Sequence, residues 1–263
     1  MSTEPTEARA KISGPFESSW RKIARAEEHY DELRRKIDEF VQEDPYERVI
    51  EPNAESSEQV VHKIRLTKPL PFAIADITGD IVQNLRNALD NAGYAVSVAS
   101  GKADPKFSAF PFAGSLAQMP NSLGRSKDLP QPIQSLFFGF QPYFGGDDML
   151  WALNEMCIAD KHKMVLPIGT SAVRVGANVH GKGYFSMPDP HVWNREKNEM
   201  ELITVRADTE FNYEFDFRLF VAINGIRVVD GKPVLSVLHQ MGCKVHSIMT
   251  VIDLESRRLG YIS

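Results

Sequence analysis

The chain predicts an α+β protein, a largely antiparallel β-sheet covered by several helices, and three observations carry that expectation. One is the strict alternation of FNYEFDFRLFV, residues 211 to 221, where Phe211, Tyr213, Phe215, Phe217, Leu219 and Val221 share one face. Another is the sustained helical spacing of apolar residues at both ends of the chain. The last is that most of the remainder before the closing helix reads as further strands, SAVRVGA, GKGYFSM and ELITVRA.

Trp20, Ile23, Tyr30, Leu33, Ile37 and Phe40 recur at three-, four- and seven-residue steps between charges of both signs, which predicts an amphipathic helix ending near Asp44-Pro45. YERVIE and QVVHKIRL, separated by PNAESSE, predict a β-hairpin. A second helix is expected after Pro69 and Pro71, ending around Gly93. Residues 100 to 132 hold prolines at 105, 111, 120, 130 and 132 and show no sustained period, so they read as a structureless connection pinned by Phe107, Phe110 and Phe112. A third helix is expected over 147 to 163, capped by Asp147 and Asp148. SAVRVGA, GKGYFSM and ELITVRA read as strands, Asn224-Gly225 as a tight hairpin turn, and Pro233 as the start of a helix whose stripe is Val234, Leu238, Met241, Val245, Ile248 and Ile252. Residues 1 to 15 read as a flexible arm and 16 to 263 as one domain.

A net charge of −5 argues against a basic coat for nonspecific duplex binding. Two cysteines, Cys157 and Cys243, are too few for a disulfide framework and predict a reducing, cytoplasmic setting. No apolar run is long enough for a membrane span, so no membrane partner is expected. The glycines of GKGYF and GGDDM lack phosphate-loop or dinucleotide spacing, no G-x-S-x-G elbow occurs, and no cofactor is expected. His239, Cys243 and His246 stand at i, i+4 and i+7, a spacing that would suit zinc, but they lie roughly opposite the apolar stripe with no fourth ligand in view; they are read as surface residues and no metal is expected.

The functional question sits on the second helix. Asp76, Asp80, Gln83, Asn84, Asn87, Asp90, Asn91 and Tyr94 fall within one arc, opposite Ile74, Ile77, Ile81, Leu85, Ala88 and Ala92. A solvated face ordinarily uses Lys, Arg and Glu, which favour helices and pair at i,i+4; short Asp and Asn disfavour helices but hold hydrogen-bond geometry against a neighbour. The expectation is a polar helix pair, with Asp76, Asp80, Asn84, Asn87 and Asp90 facing Asn154 and Glu155 of the third helix. Asp160 falls among apolar residues of that helix and must be neutral, paired or hydrogen-bonded, with Arg86, Lys161 or Lys163 as the candidate ion-pair partner. Arg86, Asp160 and His162 are the candidate catalytic groups.

These residues carry a resemblance. GD-x-x-x-NLR-x-ALD, Gly79 to Asp90, followed by NE-x4-DKH, Asn154 to His162, resembles a widespread family of bacterial proteins of similar length with no assigned activity. More distantly, the segment resembles HEPN domains, helical nucleotide- or RNA-binding modules in which an Arg and a following His cut RNA. Arg86 matches, but Asn91 stands where the His would be, and an amide cannot serve as general acid or base. The resemblance implies a nucleotide or RNA partner. The readings left open are binding of that partner at the polar helix pair, RNA cleavage or phosphate chemistry through Arg86, Asp90, Asp160 and His162, and a non-catalytic interaction protein in which these residues only align helices or a homodimer.

Overall fold

A computed structural model describes residues 14–159, 176–180, 185–188, 192–207, 212–216 and 220–262. The fold is α+β, with long helices and a five-stranded antiparallel sheet. In chain order the elements are α1 (Glu17–Gln42), β1 (Tyr46–Asn53), β2 (Ser56–Leu66), α2 (Phe72–Ala99), α3 (Met119–Leu123), α4 (Gln131–Gly139) and α5 (Asp148–Ile158). They are followed by β3 (Gly176–His180), β4 (Phe185–Ser186), β5 (Trp193–Asn194), β6 (Glu199–Arg206), β7 (Asn212–Asp216) and α6 (Val234–Arg258).

The expected hairpin forms as β1 and β2, with Tyr46 opposite Leu66 and Pro52 opposite Val60. ELITVRA supplies β6, which pairs with β2 on one side and with β4 and β5 on the other. The alternating FNYEFDFRLFV segment contributes β7, but its partner is β3 in a separate two-stranded sheet. Asn224-Gly225 is not a two-residue hairpin turn. Ala222 bridges Pro233, and the wider loop between them closes when the Gly225 amide donates to Asp230 at 2.8 Å, Gly225 sitting at φ 77°.

Among the described residues the apolar side chains gather in three clusters, the smallest being Ala113, Met119 and Tyr143. α1, α2, α4, α5 and α6 share the largest, with Leu33, Ile74, Leu85, Leu89, Phe137 and Val245 fully enclosed. The sheet holds a smaller cluster of Ile64, Met200, Leu202, Ile203 and Val205, and Leu66 at the end of β2 packs onto the helical core. The predicted stripe of α6 is buried at every position named for it.

Two boundaries differ from expectation, and both have a physical reason. α2 runs past Gly93 to Ala99; this glycine serves close packing, because a Cβ there would lie 1.9 Å from the Ser108 carbonyl oxygen of the segment crossing it. α5 ends at Ile158, with Ala159 extended, while Asp147 caps its start by accepting from the Met149 and Leu150 amides. Asp160, Lys161, His162 and Lys163 lie outside the described residues.

The stretch 100 to 132 is not structureless. It contains α3 between two turns of 3₁₀ helix, buries Phe110, Phe112, Met119 and Leu129, and is tied to itself where Asp128 accepts the Lys106 and Phe107 amides. Its prolines prevent long elements without preventing packing, because aromatic burial anchors the loop. Of the three phenylalanines, Phe107 stays exposed, with Lys127 Nζ 3.7 Å from its ring centroid.

Candidate functional site

The polar arc of α2 divides into three parts. Asp76 and Asp80 are exposed at its beginning. In the middle, α1 rather than α5 takes the amides: Lys22 Nζ donates to Asn84 Oδ1 at 3.2 Å, and Asn91 Nδ2 donates to Ser18 Oγ at 2.9 Å. Gln83 Nε2 donates to Asn87 Oδ1 one turn on, at 2.9 Å, and Asn84 Nδ2 donates to the Asp80 carbonyl at 2.8 Å. Among the described residues no hydrogen bond joins Asp76, Asp80, Asn84 or Asn87 to α5. Asn154 is buried and Glu155 half-buried, and their hydrogen bond, at 3.5 Å, is to each other.

Arg86 and Asp90 form the third part, one turn apart and both turned inward. Asp90 Oδ1 accepts the Phe110 amide at 2.9 Å, and the Arg86 guanidinium lies 5.5 Å from the Phe112 ring centroid. α5 joins here through Cys157, whose Sγ donates to the Val82 carbonyl at 3.3 Å. Burial pushes the Asp90 carboxyl above its usual range, and the Phe110 amide and the charges of Arg86 and Arg125 only partly offset it. Burial likewise pushes the Cys157 thiol up to about 12, although Arg86 pulls the other way, so at neutral pH it carries no thiolate to attack with. Arg86 Nε is buried without a hydrogen-bond partner among the described residues. The carboxyl and the thiol are committed to holding α2, α5 and the 107–112 segment in register, while the guanidinium packs over Phe112.

Sequence reasoning placed Arg86 and Asp90 at one site. It missed Cys157, Phe110 and Phe112 as their surroundings, because those contacts depend on how the connection folds back over α2.

A second feature was read as plain surface. Between α1, α2 and α6 a groove of about 620 Å³ opens over an apolar floor that includes Ile23, Ile81, Leu85 and Leu238. Its rim carries Glu27, Tyr30, His239, Cys243 and His246. His239 Nε2 lies 3.6 Å from Cys243 Sγ, while His246 meets Trp20 edge-on at 5.1 Å between centroids. The three residues with zinc-like spacing do face solvent, as their phase implies. They also wall a concavity, because α1 crosses beside them. No group of three or more metal-binding side chains occurs among the described residues.

No protein family, no curated protein and no solved structure matches the chain.

Proposed function

We propose that this chain is a non-catalytic binding protein in which Arg86, Asp90 and Cys157 set the helical frame rather than perform chemistry. The observation that carries this reading is the engagement of Asp90 with the Phe110 amide at 2.9 Å beside an Arg86 guanidinium lying over Phe112. A general acid or base needs a proton path to a substrate. Here the carboxyl serves a backbone amide, and the guanidinium lies over an aromatic ring with its Nε buried away from solvent.

Nucleotide or RNA binding by the α2 arc is the alternative that the motif likeness suggests, with a bacterial, cytoplasmic setting. The exposed Asp76 and Asp80 would oppose phosphate, and Lys22 is occupied by Asn84. No helix among the described residues is long and apolar enough to cross a membrane.

The test is a single-stranded RNA cleavage and filter-binding assay on the wild-type chain, Arg86→Met and His162→Ala. The expected result is no cleavage and no salt-sensitive retention of RNA by any of the three. Cleavage by the wild type that His162→Ala abolishes would overturn the non-catalytic reading. RNA retention lost in Arg86→Met, with the fold intact by circular dichroism, would restore the nucleic-acid alternative.

A further inference from the structure

We propose that the groove between α1, α2 and α6 is a binding site for a small planar aromatic ligand carrying a protonated amine. The proposal rests on the reading above that the chain binds without catalysing, and it names where and what. Size is the first argument: about 620 Å³ lies within the range of small-molecule sites, which span roughly 300 to 1,000 Å³.

Shape is the second. Ile23, Ile81, Leu85 and Leu238 are buried and make an apolar floor, and Gly242 extends it with open space, since a Cβ there would meet nothing within 4 Å. A flat ring can lie on such a floor where a branched side chain would fill it. Tyr30 and His239 stand with ring centroids 6.2 Å apart, and His246 is held edge-on by Trp20, so aromatic faces and edges border the floor.

Charge is the third, and it selects among planar ligands. The lining contains Glu27 and Asp31 and no lysine or arginine. Asp31 is already engaged by Arg34 at 3.4 Å, whereas Glu27 has no ion pair among the described residues. An anion such as a nucleotide phosphate would meet a carboxylate at this rim with no cation in the lining to offset it. An aromatic amine would place its ammonium at Glu27 and its ring over Gly242, with Tyr30 available for cation–π contact.

Cys243 provides the readout, because it is an exposed thiol within the groove, while Cys157 is partly buried with its thiol pushed up to about 12 and stays silent. The rate of Cys243 alkylation by iodoacetamide is measured by mass spectrometry on the full chain. Tryptamine and indole-3-propionate are the probes, sharing a ring and differing in charge. Ring-proton shifts of His239 and His246 give a second measurement independent of thiol chemistry.

At roughly millimolar probe, tryptamine is expected to slow alkylation about fivefold, and indole-3-propionate, binding about fivefold more weakly for the loss of one exposed charge contact, only about twofold. Glu27→Gln should bring the two probes to near parity. Gly242→Leu, whose side chain enters open space, should remove protection and the histidine shifts while leaving the fold intact. The proposal is overturned if neither probe protects Cys243 or shifts the histidines, if Gly242→Leu is protected as the wild type is, or if the anionic probe protects better. Failure here leaves the non-catalytic reading standing, whereas RNA cleavage lost in His162→Ala would overturn that reading and leave the groove.

Discussion

Lys63 Nζ stands 3.0 Å from Glu199 Oε1 between β2 and β6, with the two side chains only 10% and 4% exposed. Arg65 Nε donates to the other oxygen, Glu199 Oε2, at 2.9 Å, and Glu51 approaches Lys63 at 3.2 Å from β1. Burial alone would raise the Glu199 carboxyl, but hydrogen bonds from Arg65 and Lys63 overcome it and hold the group below its ordinary range. The sheet is therefore clamped by charge across three strands, beside the apolar cluster of Ile64, Met200, Leu202, Ile203 and Val205.

Glu199→Ala should lower stability by about 2 kcal/mol at neutral pH, because it leaves the buried Lys63 ammonium only the more exposed Glu51 and Glu201 as partners, whereas Glu51→Ala should cost less. Urea midpoints measure both. The pH dependence has a definite sign. A carboxyl held low in the folded state contributes stability above its unfolded pKa and loses it as pH falls through the folded value. The wild type should then lose more stability on acidification than Glu199→Gln, and parallel curves would contradict the clamp.

Gly93→Ala should be severely destabilising, since its Cβ would fall 1.9 Å from the Ser108 carbonyl oxygen, and neither backbone can move without displacing the buried Phe110. Gly79 and Gly242 are the internal controls. Their Cβ positions meet nothing within 4 Å, so alanine there should be neutral or stabilise by up to about 1 kcal/mol through helix propensity. Thermal midpoints of the three variants check this, and a tolerated Gly93→Ala would mean the connection does not lie on α2 as described.

Asp90 should behave opposite to Glu199 with pH. Its folded pKa is raised, so ionisation opposes folding: stability is greatest while the group is protonated in both states and falls as pH rises from the unfolded to the folded value. Asp90→Asn keeps an oxygen for the Phe110 amide and should be at least as stable as the wild type at pH 7. The difference should vanish below the ordinary aspartate range. A large loss at pH 7 in Asp90→Asn would show that the Arg86 charge depends on Asp90 more than burial opposes it.

The long elements were legible because a single face determined each. The stripes of α1, α2 and α6, the β1–β2 hairpin and the Asp147 cap all follow from local spacing. The polar arc of α2 was legible as something other than a solvated face, but not its partner. Short Asn and Asp side chains announce that a neighbour is near without saying which, and α1 took Asn84 and Asn91. The alternation of residues 211 to 221 announced a strand and not the sheet it joins. The groove was illegible for the same reason: His239, Cys243 and His246 lie on the outer arc of α6, and only the crossing of α1 makes that arc concave.

The proline-containing connection gives the last prediction. Five prolines in a segment without periodicity suggest a protease-sensitive loop, yet Asp128 fastens it by accepting two successive amides, Lys106 at 2.8 Å and Phe107 at 2.9 Å, and pairs with Lys102 at 3.3 Å. Those amides, that of Phe107 foremost, hold the Asp128 carboxyl below its usual range, so the clasp stays charged at neutral pH. Ser126 adds a hydrogen bond to the Ala109 carbonyl at 2.7 Å, bracketing Lys127 on both sides. Trypsin should therefore cut wild-type protein slowly at Arg125 and Lys127, although both side chains are exposed, because cleavage needs an extended backbone that this clasp denies. Asp128→Ala should release the segment and accelerate cutting at those two sites by about tenfold, with little change in the global urea midpoint. Rapid cutting of the wild type at Lys127, unchanged in Asp128→Ala, would show that burial of Phe110 and Phe112 does not secure the loop.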